Sequence, residues 1–99
     1  MATTGADDHV DETSVMVRYW AGARAAAGTA QDVFNVEEPT TLADVVRRVL
    51  DAHPGPQMAK VVGVCSVLIG DQPVGTRAPE DVAITPGSVV ELLPPFAGG

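Results

Sequence analysis

The residues of this chain best suited to chemistry lie at its C-terminal end, Phe96-Ala97-Gly98-Gly99. Glycine makes up about 7% of residues, so a glycine pair at the last two positions occurs by chance in roughly 0.5% of chains. Because glycine has no Cβ, a chain that ends in glycine can be enclosed closely by another protein. We therefore expect the α-carboxylate of Gly99 to be activated inside a partner enzyme. Gly98, which also has no side chain, is expected to let the chain pass through a narrow channel to that site.

A strand followed by two prolines precedes this end of the chain. The apolar run Val89–Leu93 predicts a strand. Pro94 and Pro95 end it, because proline cannot donate a ladder hydrogen bond and has a fixed φ, so the following residues should leave the sheet as a stiff, extended segment. Apolar anchors dominate protein interfaces, and the predicted partner-binding residues are therefore Leu93, Pro94, Pro95, Phe96 and Ala97. For Leu93, packing at the end of the sheet is an equally good explanation.

Two segments of the sequence resemble a known family. The ending LLPPFAGG and the segment VRYWAGARAAAG near the start are similar to the MoaD/ThiS family of ubiquitin-like sulfur carriers, over residues 14–99. Within that family the chain most resembles the small subunits of molybdopterin synthase, which typically finish in a strand, two prolines, a hydrophobic residue and Gly-Gly. The resemblance implies an α+β fold of the β-grasp (ubiquitin-like) class. Its mixed sheet has four to five strands, with the first and last parallel at the centre and one main helix packed across it.

The resemblance also implies a function and a set of partners. An adenylyltransferase uses ATP to adenylate Gly99, and a sulfur donor protein then supplies the sulfur that turns the adenylate into a thiocarboxylate. The thiocarboxylate gives its sulfur to precursor Z within molybdopterin synthase, whose large subunit is expected to form a heterotetramer with this chain. On this basis the chain binds no cofactor and is not an enzyme on its own.

Other functions are compatible with the same ending. A sulfur carrier for thiamine or cysteine biosynthesis, or a ubiquitin-like protein modifier, would present the same two glycines, although the ending PPFAGG favours the molybdopterin pathway. A small acidic binding module with an incidental Gly-Gly end belongs to a different class. Removal of Gly99 distinguishes the classes, because a carrier loses sulfur transfer while it stays folded and a binding module is hardly affected.

Length, composition and charge exclude several classes of protein. Ninety-nine residues with 45% hydrophobic side chains predict one globular domain. The formal charge of −7 argues against a nucleic-acid-binding protein, which needs basic side chains opposite the phosphates, and against an anionic membrane surface. The one cysteine cannot form an internal disulfide, and no apolar run approaches the ~20 residues of a membrane span. The acidic start does not resemble a signal peptide, so the expected location is the cytoplasm.

Periodicity predicts the elements of the domain. Residues 1–13 are small, polar and acidic, which predicts a flexible N-terminal tail before a domain at residues 14–99. The predicted strands, besides Val89–Leu93, are Ser14–Trp20, Asp32–Val36 antiparallel to it, Val64–Ile69 and a short edge segment at Val74–Thr76. Helical turns are predicted at Ala21–Gly28 and Gln57–Val62, and a type II turn at Thr85–Ser88.

One amphipathic helix is predicted after Thr41. Apolar residues recur with a period of 3.6 at Leu42, Val45, Val46, Val49 and Leu50. Thr41 is expected to cap the helix with Asp44 as its capping-box partner, and Pro54 forbids its continuation.

The remaining reactive residues favour structural roles. Cys65 lies in an apolar run without a second cysteine or a positioned histidine, which favours a core thiol over a nucleophile. Arg47 and Arg48 suit a solvated helix face better than a docking patch, His53 suits charge complementarity at a helix end, and Lys60 suits a surface charge. No catalytic or metal-binding constellation is apparent, which favours a carried substrate over a working enzyme.

Overall fold

A mixed five-stranded sheet forms the centre of residues 12–95, the part of the chain that this computed structural model describes. In chain order the strands are β1 (Ser14–Tyr19), β2 (Gln31–Asn35), β3 (Thr40–Thr41), β4 (Ser66–Ile69), β5 (Gln72–Pro73), β6 (Ala83–Ile84) and β7 (Val89–Leu93). The helices are α1 (Ala21–Ala27), α2 (Leu42–Ala52) and α3 (Pro56–Gly63), with a 3-10 helix at Pro79–Asp81. The predicted N-terminal tail lies outside the described residues except for its last two positions.

The last strand lies between the first strand and β4. The sheet order is β2-β1-β7-β4-β5, and β3 pairs with β6 in a separate two-stranded sheet. Strands β1 and β7 are parallel, with Val17 opposite Val90, while β2 is antiparallel to β1 and β4 is antiparallel to β7. The expected mixed sheet with parallel first and last strands is therefore confirmed, as is the antiparallel pairing of β2 with β1.

The core lies between the sheet and the helices. Alternation along β1 directs Val15, Val17 and Tyr19 to this side, and the same alternation in β7 directs Val90 and Leu92 there. The helices contribute the buried residues Ala23, Leu42, Val45, Val49 and Met58. Val82 and Ile84 complete the core from the segment before β7. Within residues 12–95 no helix is long and apolar enough to cross a membrane.

The predicted cap of α2 is present, but the box is not reciprocal. The hydroxyl of Thr41 accepts a hydrogen bond from the backbone N–H of Asp44 at 3.1 Å. The carboxylate of Asp44 accepts instead from the hydroxyl of Thr40 at 3.0 Å, and it also pairs with Arg47 and Arg48. Asp44 therefore links the start of the helix to β3 and to the next turn, and its expected role as a box partner was wrong.

Loss of this cap should destabilise the domain. Thr41→Ala leaves the N–H of Asp44 without its acceptor, which is expected to cost about 1 kcal/mol of the free energy of unfolding. For a domain of this size the melting temperature should fall by roughly 4–8 °C. Thr41→Ser retains a hydroxyl at the same position and serves as the control in thermal unfolding followed by circular dichroism. An equal loss in both variants would mean that the methyl group of Thr41, rather than the cap, carries the effect.

The first two predicted strands differ from β1 and β2 by one residue at their ends, and two others differ by more. Strand β4 begins at Ser66 rather than Val64, because α3 extends to Gly63 and its last carbonyls accept the N–H groups of Val64 and Cys65. Val64 is consequently 59% exposed instead of buried. The edge strand β5 is Gln72–Pro73 rather than Val74–Thr76, although the N–H of Val74 still bonds to Val67 at 2.9 Å.

The predicted turns and short helices are confirmed. Helix α1 ends at Gly28, whose φ of 77° lies in the left-handed region that favours glycine. Gly87 has a φ of 94°, and the N–H of Ser88 bonds to the carbonyl of Thr85 at 3.2 Å, as a type II turn requires. This turn connects β6 to β7 and so sets the start of the strand that leads to the C-terminal end.

Candidate functional site

The described part of the C-terminal end continues directly from β7, which lies between β1 and β4 in the sheet. Leu92 is 1% exposed, and Leu93 is half-buried opposite Ser66 of β4. Pro94 is half-buried and Pro95 is exposed, so the chain leaves the sheet here as predicted. The structure thus brings together the predicted partner-binding residues Leu93, Pro94 and Pro95. The other predicted site residues lie outside the described residues; they are Phe96, Ala97, Gly98 and Gly99.

Trp20, which directly follows β1 and precedes α1, holds the end of β7. Its backbone N–H donates to the carbonyl of Leu92 at 3.2 Å, and its indole N–H donates to the carboxylate of Glu91 at 2.9 Å. The guanidinium of Arg18 lies 5.3 Å from the centroid of the indole ring, within the range of a cation–π contact. Trp20 is nevertheless 39% exposed. Sequence reasoning did not single out this aromatic residue; it placed Trp20 at the end of the first strand, whereas β1 ends at Tyr19 and Trp20 is the N-cap of α1.

These residues share the sheet face that points away from the core. Alternation places Arg18 and Trp20 opposite the buried side of β1, and Glu91 and Leu93 opposite the buried side of β7. Val33 of β2 lies on the same face and is 52% exposed. We call these five residues the outer face. It combines apolar surface with one cation and one anion. Arg18, Trp20, Glu91 and Leu93 lie towards the end of β7, whereas Val33, opposite Met16, lies level with its start.

A second polar cluster lies on the core side of the sheet and was not predicted. The imidazole Nε2 of His53 lies 2.5 Å from Oδ2 of Asp32, and the hydroxyl of Tyr19 donates to the same oxygen at 2.9 Å. The rings of Tyr19 and His53 meet edge to face, with centroids 5.7 Å apart. The cluster connects β1, β2 and the end of α2. His53 is therefore a part-buried link between three elements, and the expected role at the helix end does not account for its contacts.

Because of this cluster, the free energy of unfolding is expected to depend on pH in the alkaline range. Burial, with the hydrogen bond and the charge of Asp32, raises the pKa of Tyr19 far above its usual value near 10. Between pH 10 and 11.5 the unfolded chain releases the tyrosine proton while the folded chain keeps it, so stability falls as pH rises, with a slope that approaches about 1.4 kcal/mol per pH unit. Urea unfolding should show this slope in the wild type. Tyr19→Phe should remove that part of the slope, and an equal slope in both proteins would contradict the prediction.

Cys65 is a poor nucleophile in this environment. Its side chain is half-buried, its thiol donates to the carbonyl of Val61 at 3.3 Å, and burial raises its pKa to about 11. At neutral pH the thiol is therefore protonated. The expected structural role fits these contacts, but the residue lies between α3 and β4 and not within a strand.

The basic residues of α2 differ in their contacts. The guanidinium of Arg48 donates to the carbonyl of Asn35 at 2.6 Å and to Asp44 at 3.1 Å, which ties the helix to the end of β2. Arg47 is exposed, and within the described residues it pairs with Asp44 alone. Only Arg47 matches the expected solvated helix face. Among residues 12–95 there is no group of three or more His, Cys, Asp and Glu side chains that could hold a metal ion.

Comparison with known proteins identifies the family. The ThiS family matches residues 17–99, most of the chain. The chain belongs to the ThiS family. The match confirms the resemblance to the MoaD/ThiS family that the two sequence segments indicated. No curated protein matches the chain.

Solved structures show the same fold at low sequence identity. SAMP1 from Haloferax volcanii is 23% identical with a TM-score of 0.72, over 87% of this chain and 99% of that protein. A putative molybdopterin converting factor subunit 1 from Pyrococcus furiosus is 20% identical with a TM-score of 0.69, over 85% and 99%. The complex of subunits 1 and 2 of the molybdopterin-converting factor from Helicobacter pylori contains a chain 21% identical with a TM-score of 0.59, over 87% and 99%. The ThiS-family chain therefore has the β-grasp fold, as expected.

Proposed function

We propose that this ThiS-family chain is a sulfur carrier in molybdenum cofactor biosynthesis and that the α-carboxylate of Gly99 carries the sulfur. The observation that supports the proposal most is the placement of β7. The strand lies between β1 and β4 in the sheet, its residue Leu92 is buried, and the chain leaves the sheet at Pro94 and Pro95. Because β7 is held by a strand on each side, the residues after it start from a fixed position, and a partner can bind them there.

The chemistry needs an activating partner. The carboxylate of Gly99 attacks the α-phosphorus of ATP in an adenylyltransferase, which forms an acyl-adenylate and releases pyrophosphate. Hydrosulfide from a sulfur donor then displaces AMP and leaves a thiocarboxylate. The ATP belongs to the partner, and this chain binds no cofactor. Gly98 and Gly99 provide the backbone without side chains that a narrow catalytic channel requires.

The acceptor of the sulfur distinguishes the pathways. We propose that the thiocarboxylate enters the large subunit of molybdopterin synthase and gives its sulfur to precursor Z, within a cytoplasmic heterotetramer. The Helicobacter pylori relative, which was solved as a complex of subunits 1 and 2, supports a partner of this kind. The outer face supports docking, because Trp20 exposes apolar surface at the end of β7 where Leu93 lies, while Arg18 and Glu91 can set the orientation of the partner.

Intact mass spectrometry tests the proposal. The full chain is incubated with ATP, an adenylyltransferase of the family and a sulfide source. We expect a gain of about 16 Da, one oxygen replaced by sulfur, on the C-terminal peptide. Addition of the large subunit and precursor Z should return the mass to its starting value as the sulfur is transferred. Reactions without ATP are the control, and no mass gain in the complete reaction would overturn the proposal.

Protein modification is the second candidate function. It is favoured by the similarity to SAMP1, which another structure describes as a small archaeal modifier protein. A modifier would join Gly99 to an amine of another protein and lose water. The same incubation with a cell extract distinguishes the two functions, because conjugates of higher mass that resist thiols indicate modification, whereas a thiocarboxylate that only molybdopterin synthase consumes indicates the carrier.

A further inference from the structure

Two exposed cations flank the end of β7 on the side of β1. Arg18 of β1 lies opposite Glu91. Arg24 lies in α1, the helix that begins directly after Trp20, and the N–H of Trp20 bonds to the carbonyl of Leu92. One strand spacing and a few residues of rise separate each cation from the point where the chain leaves the sheet, so both lie within about 15 Å of it.

Two more exposed cations flank the same end on the side of β4 and β5. Lys60 lies in the last turn of α3, whose chain continues into β4 at Ser66, opposite Leu93. Arg77 follows β5, and its Nε donates to the carbonyl of Val74 at 3.1 Å. Because β5 is two strand spacings from β7, Arg77 also lies within about 15 Å of the point where the chain leaves the sheet, and the same holds for Lys60.

These four residues carry charges that are not paired within the described part of the chain. We call them the exit cations; they are Arg18, Arg24, Lys60 and Arg77. Every ion pair within residues 12–95 involves Asp44 or Asp32, and none involves an exit cation. Glu91, although it lies opposite Arg18, accepts the indole N–H of Trp20 instead. The exit cations are therefore available to anions of another molecule.

The opposite end of the sheet is negative. Exposed acids lie there before β1, after β2 and in the turn between β4 and β5; they are Glu12, Glu37, Glu38 and Asp71. Asp51 lies in α2, with Glu80 and Asp81 in the 3-10 helix beside it, and none of these pairs with an exit cation. The strands thus run from a negative to a positive end, although the formal charge of the whole chain is −7.

An interface around the end of β7 should cover the exit cations. A standard interface buries about 800 Å² on each partner, which corresponds to a disc with a radius of about 16 Å. Centred on Pro95, a disc of this size includes all four of them. A cation that is covered without an opposite charge loses its hydration and weakens binding. A partner that binds here should therefore place carboxylates opposite them.

We propose that the exit cations bind an acidic surface around the channel of the activating adenylyltransferase. The inference rests on the proposed function in taking an adenylyltransferase as the partner that receives the residues after Pro95. The two oppositely charged ends orient the carrier so that its positive end meets the partner first, which raises the association rate. Such steering suits an activating enzyme better than the large subunit, because it speeds association without prolonging the complex, and the activating enzyme must release the carrier after each reaction.

Charge variants test the proposal through the association rate. Arg24→Gln and Lys60→Gln each remove one exit cation and are expected to lower the association rate constant with the adenylyltransferase by about threefold at an ionic strength of about 0.01 M. The double variant should lose about 10-fold. At about 0.15 M the Debye length falls from about 30 to about 8 Å, so the differences should shrink. Stopped-flow fluorescence with a labelled adenylyltransferase measures these rates.

Arg47→Gln is the matched control, because it also removes one exposed arginine charge. Arg47 pairs with Asp44, and the neighbouring Arg48 reaches the carbonyl of Asn35 at the opposite end of the sheet. Equal slowing in Arg47→Gln and Arg24→Gln would assign the effect to net charge and overturn the proposal. Faster association of the exit-cation variants would show that the partner surface is basic, which also overturns it. Slowing with the large subunit alone would assign the exit cations to that partner instead.

Product formation separates this inference from the proposed function. In Arg24→Gln and Lys60→Gln the KM of the adenylyltransferase for the carrier should rise by about threefold with kcat unchanged, since the cations act on association and not on Gly99. Thermal unfolding verifies that the variants are folded. An unchanged KM would overturn the role of the exit cations while the proposed function stands. Absence of thiocarboxylate in the wild type would overturn the proposed function, and the association rates, which require no turnover, would still decide the role of the exit cations.

Discussion

Deletion of Gly99 is expected to abolish thiocarboxylate formation and to leave the melting temperature unchanged. The variant still ends in a glycine, but its carboxylate starts one residue earlier, about 3.5 Å short of the adenylation site. A misplacement of 1 Å can cost about 100-fold in rate, so we expect a loss of at least that size. Among residues 12–95, every buried residue lies within residues 14–92, and on this basis we expect stability not to change.

The control keeps the length of the chain and alters the same segment. Ala97→Gly leaves the carboxylate at its original distance from β7 and should retain activity within about threefold, since only a methyl group is lost. Both variants are compared by the intact-mass assay and by thermal unfolding. Full activity of the Gly99 deletion would show that the activating enzyme does not measure the length of the chain, and the role assigned to Gly99 would be wrong.

Local patterns were sufficient to predict most elements of the fold. The 3.6-residue period of Leu42, Val45 and Val49 arises from one helix packed on one side of a sheet, so the sequence alone revealed both the helix and its buried face. The turn at Thr85–Ser88 was also predictable, because proline and glycine specify its dihedral angles. The start of β4 was not, because two apolar residues beyond α3 resemble a strand even when their N–H groups bond to the helix end.

Contacts between distant residues account for what the sequence did not reveal. The indole of Trp20 bonds to Glu91, 71 positions away, and the imidazole of His53 meets Asp32, 21 positions away. No spacing rule connects such pairs, since the sheet topology alone brings them together. The end of β7 before Pro94 and Pro95 could be predicted because these residues are contiguous in the sequence, and partner binding by Leu93, Pro94 and Pro95 stays a prediction. The outer face could not be predicted, because it draws on β1, β2 and β7.

Two adjacent leucines at the end of β7 should separate stability from partner binding. Leu92→Ala removes a side chain that is 1% exposed on the core side and is expected to cost about 2–5 kcal/mol. With roughly 4–8 °C per kcal/mol for a domain of this size, the melting temperature should fall by about 10 °C or more. Calorimetry or denaturant unfolding measures the loss. A destabilised strand also holds the C-terminal end less firmly, so thiocarboxylate formation should fall most near the new melting temperature.

Leu93→Ala is the matched control, because alternation places the neighbouring side chain on the outer face. Leu93 is half-buried and is not part of the core cluster, so its loss should cost less than about 1 kcal/mol of stability. If Leu93 is a central anchor of the partner interface, its loss should weaken binding of the large subunit by about 2 kcal/mol, or roughly 30-fold in Kd. Isothermal titration calorimetry measures this affinity. A large loss of stability with unchanged affinity would assign Leu93 to packing at the end of the sheet and would remove it from the interface.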